Sequence, residues 1–237
     1  MPRPSRQIDL ALLASGMALY PAAGAAGLSV RAVARHADVN PAMFHYHFAS
    51  KEAFLQALLQ RMYEEMYGGL SAQAHGEGPA AQRLHAALFG MAVFARGHRQ
   101  FIARLLTDAI HGEPVATAFM RSNGPRHVGV LFLLVRQAVG EGALADLPPL
   151  QLVSTLMGSV LLPIVIVGGV FDALALPLLP PALFAEQVME DAAISERITR
   201  ALRALAPEST APLAKPAAAS AAVPARRAAA RRRSASP

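Results

Sequence analysis

The chain has 237 residues, enough for one large or two small domains, and at 54% hydrophobic and 16% charged it is too apolar to be disordered over most of its length. Cysteine is absent, which excludes a disulfide framework, thiolate chemistry and any Cys-based zinc site, and with no Trp the core must rest on Leu, Ala, Val and Phe. The formal net charge of +6 is concentrated at one end: beyond Pro207, Lys215, Arg226, Arg227, Arg231, Arg232 and Arg233 face only Glu208, so residues 1–206 are nearly neutral and the basic balance is no evidence that the folded part binds nucleic acid.

The first predicted element is a helix over Ile8–Tyr20, with Ile8, Ala11, Leu12 and Leu19 at helical spacing, Ser15 weakening the same stripe, and Pro21 and Gly24 ending it. Asp9 interrupts the apolar run, so this segment is not expected to be a signal peptide. Ser29 is a good N-cap for a second helix whose inner face is Val30, Val33, Ala34 and Ala37. Asp38 tolerates a left-handed turn, though Gly would do so more cheaply. Asn40 caps a short third helix, with Pro41 at its first position and its end near Phe48. Ser50 caps a fourth, with Glu52 in the first turn.

That helix runs from Lys51 to about Ala74, with Phe54, Leu55, Leu58, Leu59, Met62 and Met66 on one side. After a break at Gly76–Pro79, helices are expected over Ala80–Ala95 and His98–Ile110. His111–Pro114 breaks the chain again, and Val115–Val139 reads as helix interrupted around Asn123–Pro125. Gly140–Pro149 is a loop, and Leu150–Phe171 and Pro181–Leu205 are the last two helices. No segment alternates with period two, so no sheet is expected. The Ala, Pro, Ser and Arg of residues 207–237 cannot bury a core and read as a disordered tail, either merely solubilising or a non-specific DNA grip through counterion release.

Two short capped helices joined by a tight turn, with a third started directly behind them, form the layout of a helix-turn-helix. A helix fits the major groove of B-DNA, where base edges carry a unique donor and acceptor code. It needs short or polar residues at its leading end and flanking donors for phosphates. Asn40, Pro41, Ala42 and Met43 open the third helix, His45, Tyr46 and His47 follow, and Lys51 starts the next. Ser29 and Arg31 open the second helix. Phe44 and Phe48 are four apart and should lock the third helix inward. A bland exposed face is the alternative for His45-Tyr46-His47; a metal site is disfavoured because residues two apart do not face one another on a helix.

Residues 8–60 resemble the DNA-binding domain of the tetracycline-repressor (TetR) family of bacterial transcription regulators. The matching pieces are Leu28 to Ala34, Ala37-Asp38-Val39, and Phe44 to Ala53, the last combining an aromatic-rich short helix with Phe-x-Ser-Lys-Glu. The resemblance implies that Ser29 and Lys51 hold phosphates, that Arg31 reaches a base, and that Asn40 to Met43 face the groove floor. His45 stands where the family usually has a phosphate-binding Tyr, and Asp38 replaces the usual turn Gly. The implied architecture is all-α: a helix-turn-helix domain over residues 1–52, a helical effector-binding and dimerisation domain of about six helices over 53–206, and the basic tail over 207–237.

Leu147–Phe171 carries no charge for 25 residues and is long enough to span a bilayer. Its prolines, polar residues and Gly168-Gly169 pair, and the lack of flanking basic clusters, favour instead a buried helix or a subunit interface. TetR-like proteins pair through their last two long helices in a four-helix bundle. Two-fold pairing also follows from the DNA reading, since dimers read half-sites roughly 34–36 Å apart. Phe89, Met91, Phe94, Phe101, Phe119, Met120, Phe132 and Met157 are core residues or the lining of an effector pocket, and an apolar lining favours an apolar or weakly polar effector. By resemblance, that effector would shift the spacing of the two reading heads and release DNA.

The expected function is thus a cytoplasmic, homodimeric, sequence-specific DNA-binding regulator, a ligand-released repressor on a palindromic operator. It would need no metal and no cofactor. An activator of the same fold and a membrane-associated helical protein are the alternatives. An enzyme finds no support, since HExxH, Walker A, Gly-x-Ser-x-Gly and dinucleotide motifs are all missing from the sequence.

Overall fold

The computed structural model describes residues 5–169 and 180–207. The basic tail and the last residues of the uncharged 147–171 stretch lie outside these. Among the described residues every regular element is helical. The helices are α1 (Ser5–Gly27), α2 (Val30–His36), α3 (Pro41–His47), α4 (Lys51–Ala74), α5 (Ala80–Gly97), α6 (Arg99–Ile110) and α7 (Pro114–Gly140). They continue with α8 (Pro149–Leu162), which runs into a π-helical turn at Pro163–Val167, then the short α9 (Pro181–Phe184) with a π-helical turn at Ala185–Met189, and α10 (Asp191–Ala204).

The helices pack around two cores. The first holds Leu12 and Tyr20 of α1, Val33 of α2, Phe44 of α3, and Phe54 and Leu58 of α4. It continues without a break into Phe101 and Leu105 of α6 and Phe119 of α7. The second is built from α5, the C-terminal half of α7, α8 and α10, around Leu84, Leu88, Leu134, Leu156 and Ile194. Helix α6 lies between them: Phe101 and Leu105 point into the first, while Ile102 and Leu106 pack on the second. Distant side chains close several helix ends. Arg83 donates to the Ala74 carbonyl at the end of α4 at 2.9 Å, and Glu141 accepts from the Ala80 N–H at the start of α5 at 2.8 Å.

Three expectations are corrected. Pro21 does not end α1, which continues to Gly27 with a break at Gly24, where φ is 63°. A proline takes away a single N–H, whereas Gly24 supplies a backbone turn that other residues resist. Asn123–Pro125 does not interrupt α7, because Asn123 anchors the helix there: its carbonyl accepts the Tyr63 hydroxyl at 2.9 Å and its amide donates to Gln60 at 3.1 Å. Pro181–Leu205 is not one helix, since Glu190 is extended (ψ 151°) and separates α9 and its π-helical turn from α10.

Helices Gln7–Gly27 and Pro149–Val167 are long and apolar enough to cross a membrane by length and composition alone. Both bury one side in protein: Leu12, Leu13 and Tyr20 in the first core, Leu152, Leu156 and Val160 in the second. The outer side of the second leaves Leu150, Leu162, Ile166 and Val167 exposed.

Candidate functional site

The reading head is held by three side-chain caps. Ser29 Oγ accepts from the Ala32 N–H at 3.1 Å, Asn40 Oδ1 from the Ala42 N–H at 2.9 Å, and Ser50 Oγ from the Ala53 N–H at 3.1 Å. Between α2 and α3 the chain turns at Asp38, whose φ of 55° lies in the left-handed region, and the Val39 N–H returns to the Ala34 carbonyl at 3.0 Å. Asp38→Gly should therefore relieve about 1–2 kcal/mol of backbone strain, offset in part by the about 0.5–1 kcal/mol that the extra freedom of Gly in the unfolded chain costs. Thermal unfolding should show a higher midpoint; a lower one would mean that the Asp38 side chain makes a contact worth more than the strain.

Phe44 is fully buried and meets Phe48 and Phe54 at ring distances of 5.6 and 5.0 Å, so α3 presents its other side outward. Ser29, Arg31, Asn40, Pro41, Ala42, His45 and Tyr46 are exposed, Tyr46 at 74%, while Met43 and His47 are half-buried. The His47 ring meets Tyr46 edge-to-face at 5.1 Å, and its Nε2 is buried without a partner. Serving as a cap does not exhaust Ser29 or Asn40, since a hydroxyl proton and an amide NH2 remain to donate. Lys51 Nζ donates to the Ala26 carbonyl at 2.8 Å, which ties the start of α4 to the end of α1 and leaves further N–H donors for a phosphate. Ser15 proves to be a joint: its buried hydroxyl lies 3.0 Å from His36 Nδ1 and ties α1 to α2. Among the described residues no three His, Cys, Asp or Glu side chains gather as a metal site.

The head meets the rest of the molecule at Asp108 of α6. Its Oδ2 accepts from the Tyr20 hydroxyl at 2.9 Å and from the Ala25 N–H at 2.8 Å, and its Oδ1 from Arg104 Nε at 2.8 Å. The Ala25 N–H is a donor exposed by the break at Gly24, so one buried carboxylate closes the broken end of α1. Burial pushes the Asp108 carboxyl upward, but the Ala25, Arg104 and Tyr20 hydrogen bonds outweigh it and hold the carboxyl below the usual range. Burial and the bond to Asp108 push the Tyr20 phenol upward. The Tyr20 ring also stacks on Phe101 with centroids 4.5 Å apart.

On the other side of α6 lies a cavity of about 470 Å³, walled by Met62 and Met66 of α4, Met91 and Phe94 of α5, Leu106 of α6, Phe119 of α7 and Met157 of α8. Of the residues singled out in sequence, Met91, Phe94, Phe119, Met120 and Met157 line it; Phe89, Phe101 and Phe132 do not. Asn123 and His127, polar residues of α7 that sequence reasoning passed over, also face it. The sequence carries no signal that singles them out of the polar run Arg121–His127, since only packing decides which of these residues face inward. Among the described residues that line it there is no Asp, Glu, Lys or Arg.

Residues 12–58 match the family model described as bacterial regulatory proteins, tetR family. That segment, which holds all three helix caps, is thus a TetR-type DNA-binding domain. The TetR-like fold extends well past the matched segment. A Clostridium perfringens protein, named as a candidate fatty acid metabolism regulator, superposes with a TM-score of 0.64 at 14% identity, over 84% of this chain and 97% of its own. A regulatory protein in the tetR family from Rhodococcus RHA1 gives 0.63 at 14% identity, over 84% and 97%. AibR, solved with isovaleryl coenzyme A and operator DNA, gives 0.55 at 20% identity, over 65% and 84%. At such identities these TetR-like neighbours show the fold alone. No curated protein sequence matches the chain.

Proposed function

We propose that this TetR-family chain is a cytoplasmic transcriptional repressor, acting as a homodimer on a palindromic operator and releasing it when a small, largely apolar effector fills the cavity. The position of α6 carries this reading. Ile102, Leu105 and Leu106 border the cavity, while Phe101, Arg104 and Asp108 of the same 12-residue helix hold α1. A ligand shifts an equilibrium only by binding two states unequally. Here it would favour the α6 position that fits it, and α6 would carry α1 and the reading head along.

The head is residues 1–52 and the effector and dimerisation part residues 53–206. Ser29 and Lys51 hold phosphates, Arg31 reaches a base, Asn40, Pro41, Ala42 and Met43 face the groove floor, and His45, Tyr46 and His47 flank it. The partner subunit covers the outer side of α8, where Leu150, Leu162, Ile166 and Val167 would otherwise face water. The interface, rather than a bilayer, is thus our reading of that apolar helix. AibR lends analogy, since its structure holds both operator DNA and a ligand. Nothing in the site calls for an enzymatic role.

Light scattering on the purified protein should give the dimer mass, and selection from a random DNA pool should recover a palindrome. A monomer at working concentration, or selected sequences without two-fold symmetry, overturns the proposal. A reporter placed behind the selected operator separates repression from activation.

A further inference from the structure

Among the described residues of the cavity wall, three side chains can hydrogen-bond through strong donors or acceptors: Tyr63, Asn123 and His127. The first two are already engaged. The Tyr63 hydroxyl donates to the Asn123 carbonyl at 2.9 Å. The Asn123 amide donates to Gln60 Oε1 at 3.1 Å and to the Phe119 carbonyl at 3.3 Å, and its oxygen accepts from Arg126 at 3.0 Å. His127 differs. Neither of its ring nitrogens has a hydrogen-bond partner among the described residues; Nδ1 is shielded beside the Asn123 carbonyl one turn back, so Nε2 is the nitrogen left to meet a ligand.

Charge is missing from the described residues of this wall. The nearest guanidinium to the polar corner, Arg126, lies over the rings of Tyr63 and Tyr67 at 5.0 and 4.2 Å and is paired to Glu64 at 2.6 Å. Burial lowers the His127 pKa, so the imidazole is neutral and offers one donor and one acceptor. Against the described lining residues a carboxylate or ammonium would be desolvated with no opposite charge, whereas a hydroxyl, ketone or ester oxygen would meet the one polar side chain among them that makes no hydrogen bond of its own.

From this geometry we infer that the cavity selects uncharged, largely apolar molecules bearing a single hydrogen-bonding oxygen, and that His127 is the residue that reads that oxygen. The inference rests on the cavity being the effector site, and it deepens that reading. It names a specificity device: the methionines and phenylalanines accept the hydrocarbon body, and His127 sorts head groups.

Competition of matched ten-carbon probes against a fluorescent apolar dye, on the full-length protein without DNA at pH 7.5, tests it. Decan-1-ol and methyl decanoate should displace the dye, and decanoate and decylammonium should bind at least about a hundredfold more weakly. His127→Leu should weaken the alcohol about five- to tenfold, the loss of one hydrogen bond, and leave the dye itself unaffected. Decanoate binding as tightly as decanol, an equal loss of every ligand in His127→Leu, or failure of the dye or alcohol to bind each overturns the inference. Tight alcohol binding that leaves operator affinity unchanged would uphold the ligand class and overturn the effector role instead.

Discussion

Asp108→Ala is expected to lower the stability of the chain by about 3–5 kcal/mol, the range for breaking a buried charged pair and stranding its partners. The carboxylate side chain is 8% exposed and serves three donors. Removing it leaves the Tyr20 hydroxyl and the Ala25 N–H buried without acceptors and Arg104 without its anion. Urea unfolding measures the loss; a change below about 1 kcal/mol would mean that water replaces the carboxylate at little penalty. The joint also predicts a pH response. Its folded pKa is below the unfolded value of about 3.9, so its stabilisation is complete above that pH and lost as pH falls through the folded value. Wild type should therefore lose stability more steeply than Asp108→Asn below about pH 4. Tyr20 behaves in the opposite sense: its raised pKa gives stability that is full below about pH 10 and lost as pH rises beyond.

Phe44→Ala should remove about 3–5 kcal/mol, the usual range for truncating a fully buried Phe. The effect on DNA is the more telling one. Phe44 is the buried residue of α3 and joins it to Phe48 and Phe54, so its loss frees the reading helix from the rest of the head. Operator binding should fall below detection by fluorescence anisotropy at temperatures where circular dichroism still reports a helical chain. Retained binding would mean that the caps at Ser29, Asn40 and Ser50 orient α3 without the aromatic cluster. Tyr46→Ala is the matching surface control: 74% exposed, it should weaken binding and leave the unfolding curve unchanged.

The head was legible in sequence because its signals are local. Ser29, Asn40 and Ser50 cap the helices expected of them, and the left-handed turn falls at Asp38. Each of these depends on a side chain within three residues of the backbone it serves. Apart from the extended Glu190 that splits Pro181–Leu205, the misread positions depend on distant partners. Of the two expected stops of α1, Gly24 breaks it and Pro21 does not, and the N–H released at the break finds its acceptor 83 residues away on Asp108. Pro125 sits inside α7 because Tyr63 and Gln60, some 60 residues earlier, hold Asn123 in place. Ser15 looked like a blemish on an apolar stripe because its partner His36 belongs to the next helix. The cavity was half-legible for the same reason: period 3.6 finds an inward-facing Met or Phe, but whether it meets a neighbour or a void depends on how other helices pack.

The break at Gly24 has a consequence for engineering. With φ at 63° and the Arg104 guanidinium lying where a Cβ would project, this position accepts no side chain unless Arg104 gives up Asp108. Tyr20, Gly24, Arg104 and Asp108 therefore form a matched set divided between two halves that a designer would be tempted to exchange. A chimera that joins a foreign reading head at residue 52 would separate that set, and the transplanted head would sit on a helix it cannot grip. Carrying Tyr20 and Gly24 into the new head, or replacing α6 together with it, is the condition for a hybrid in which α6 still grips the head.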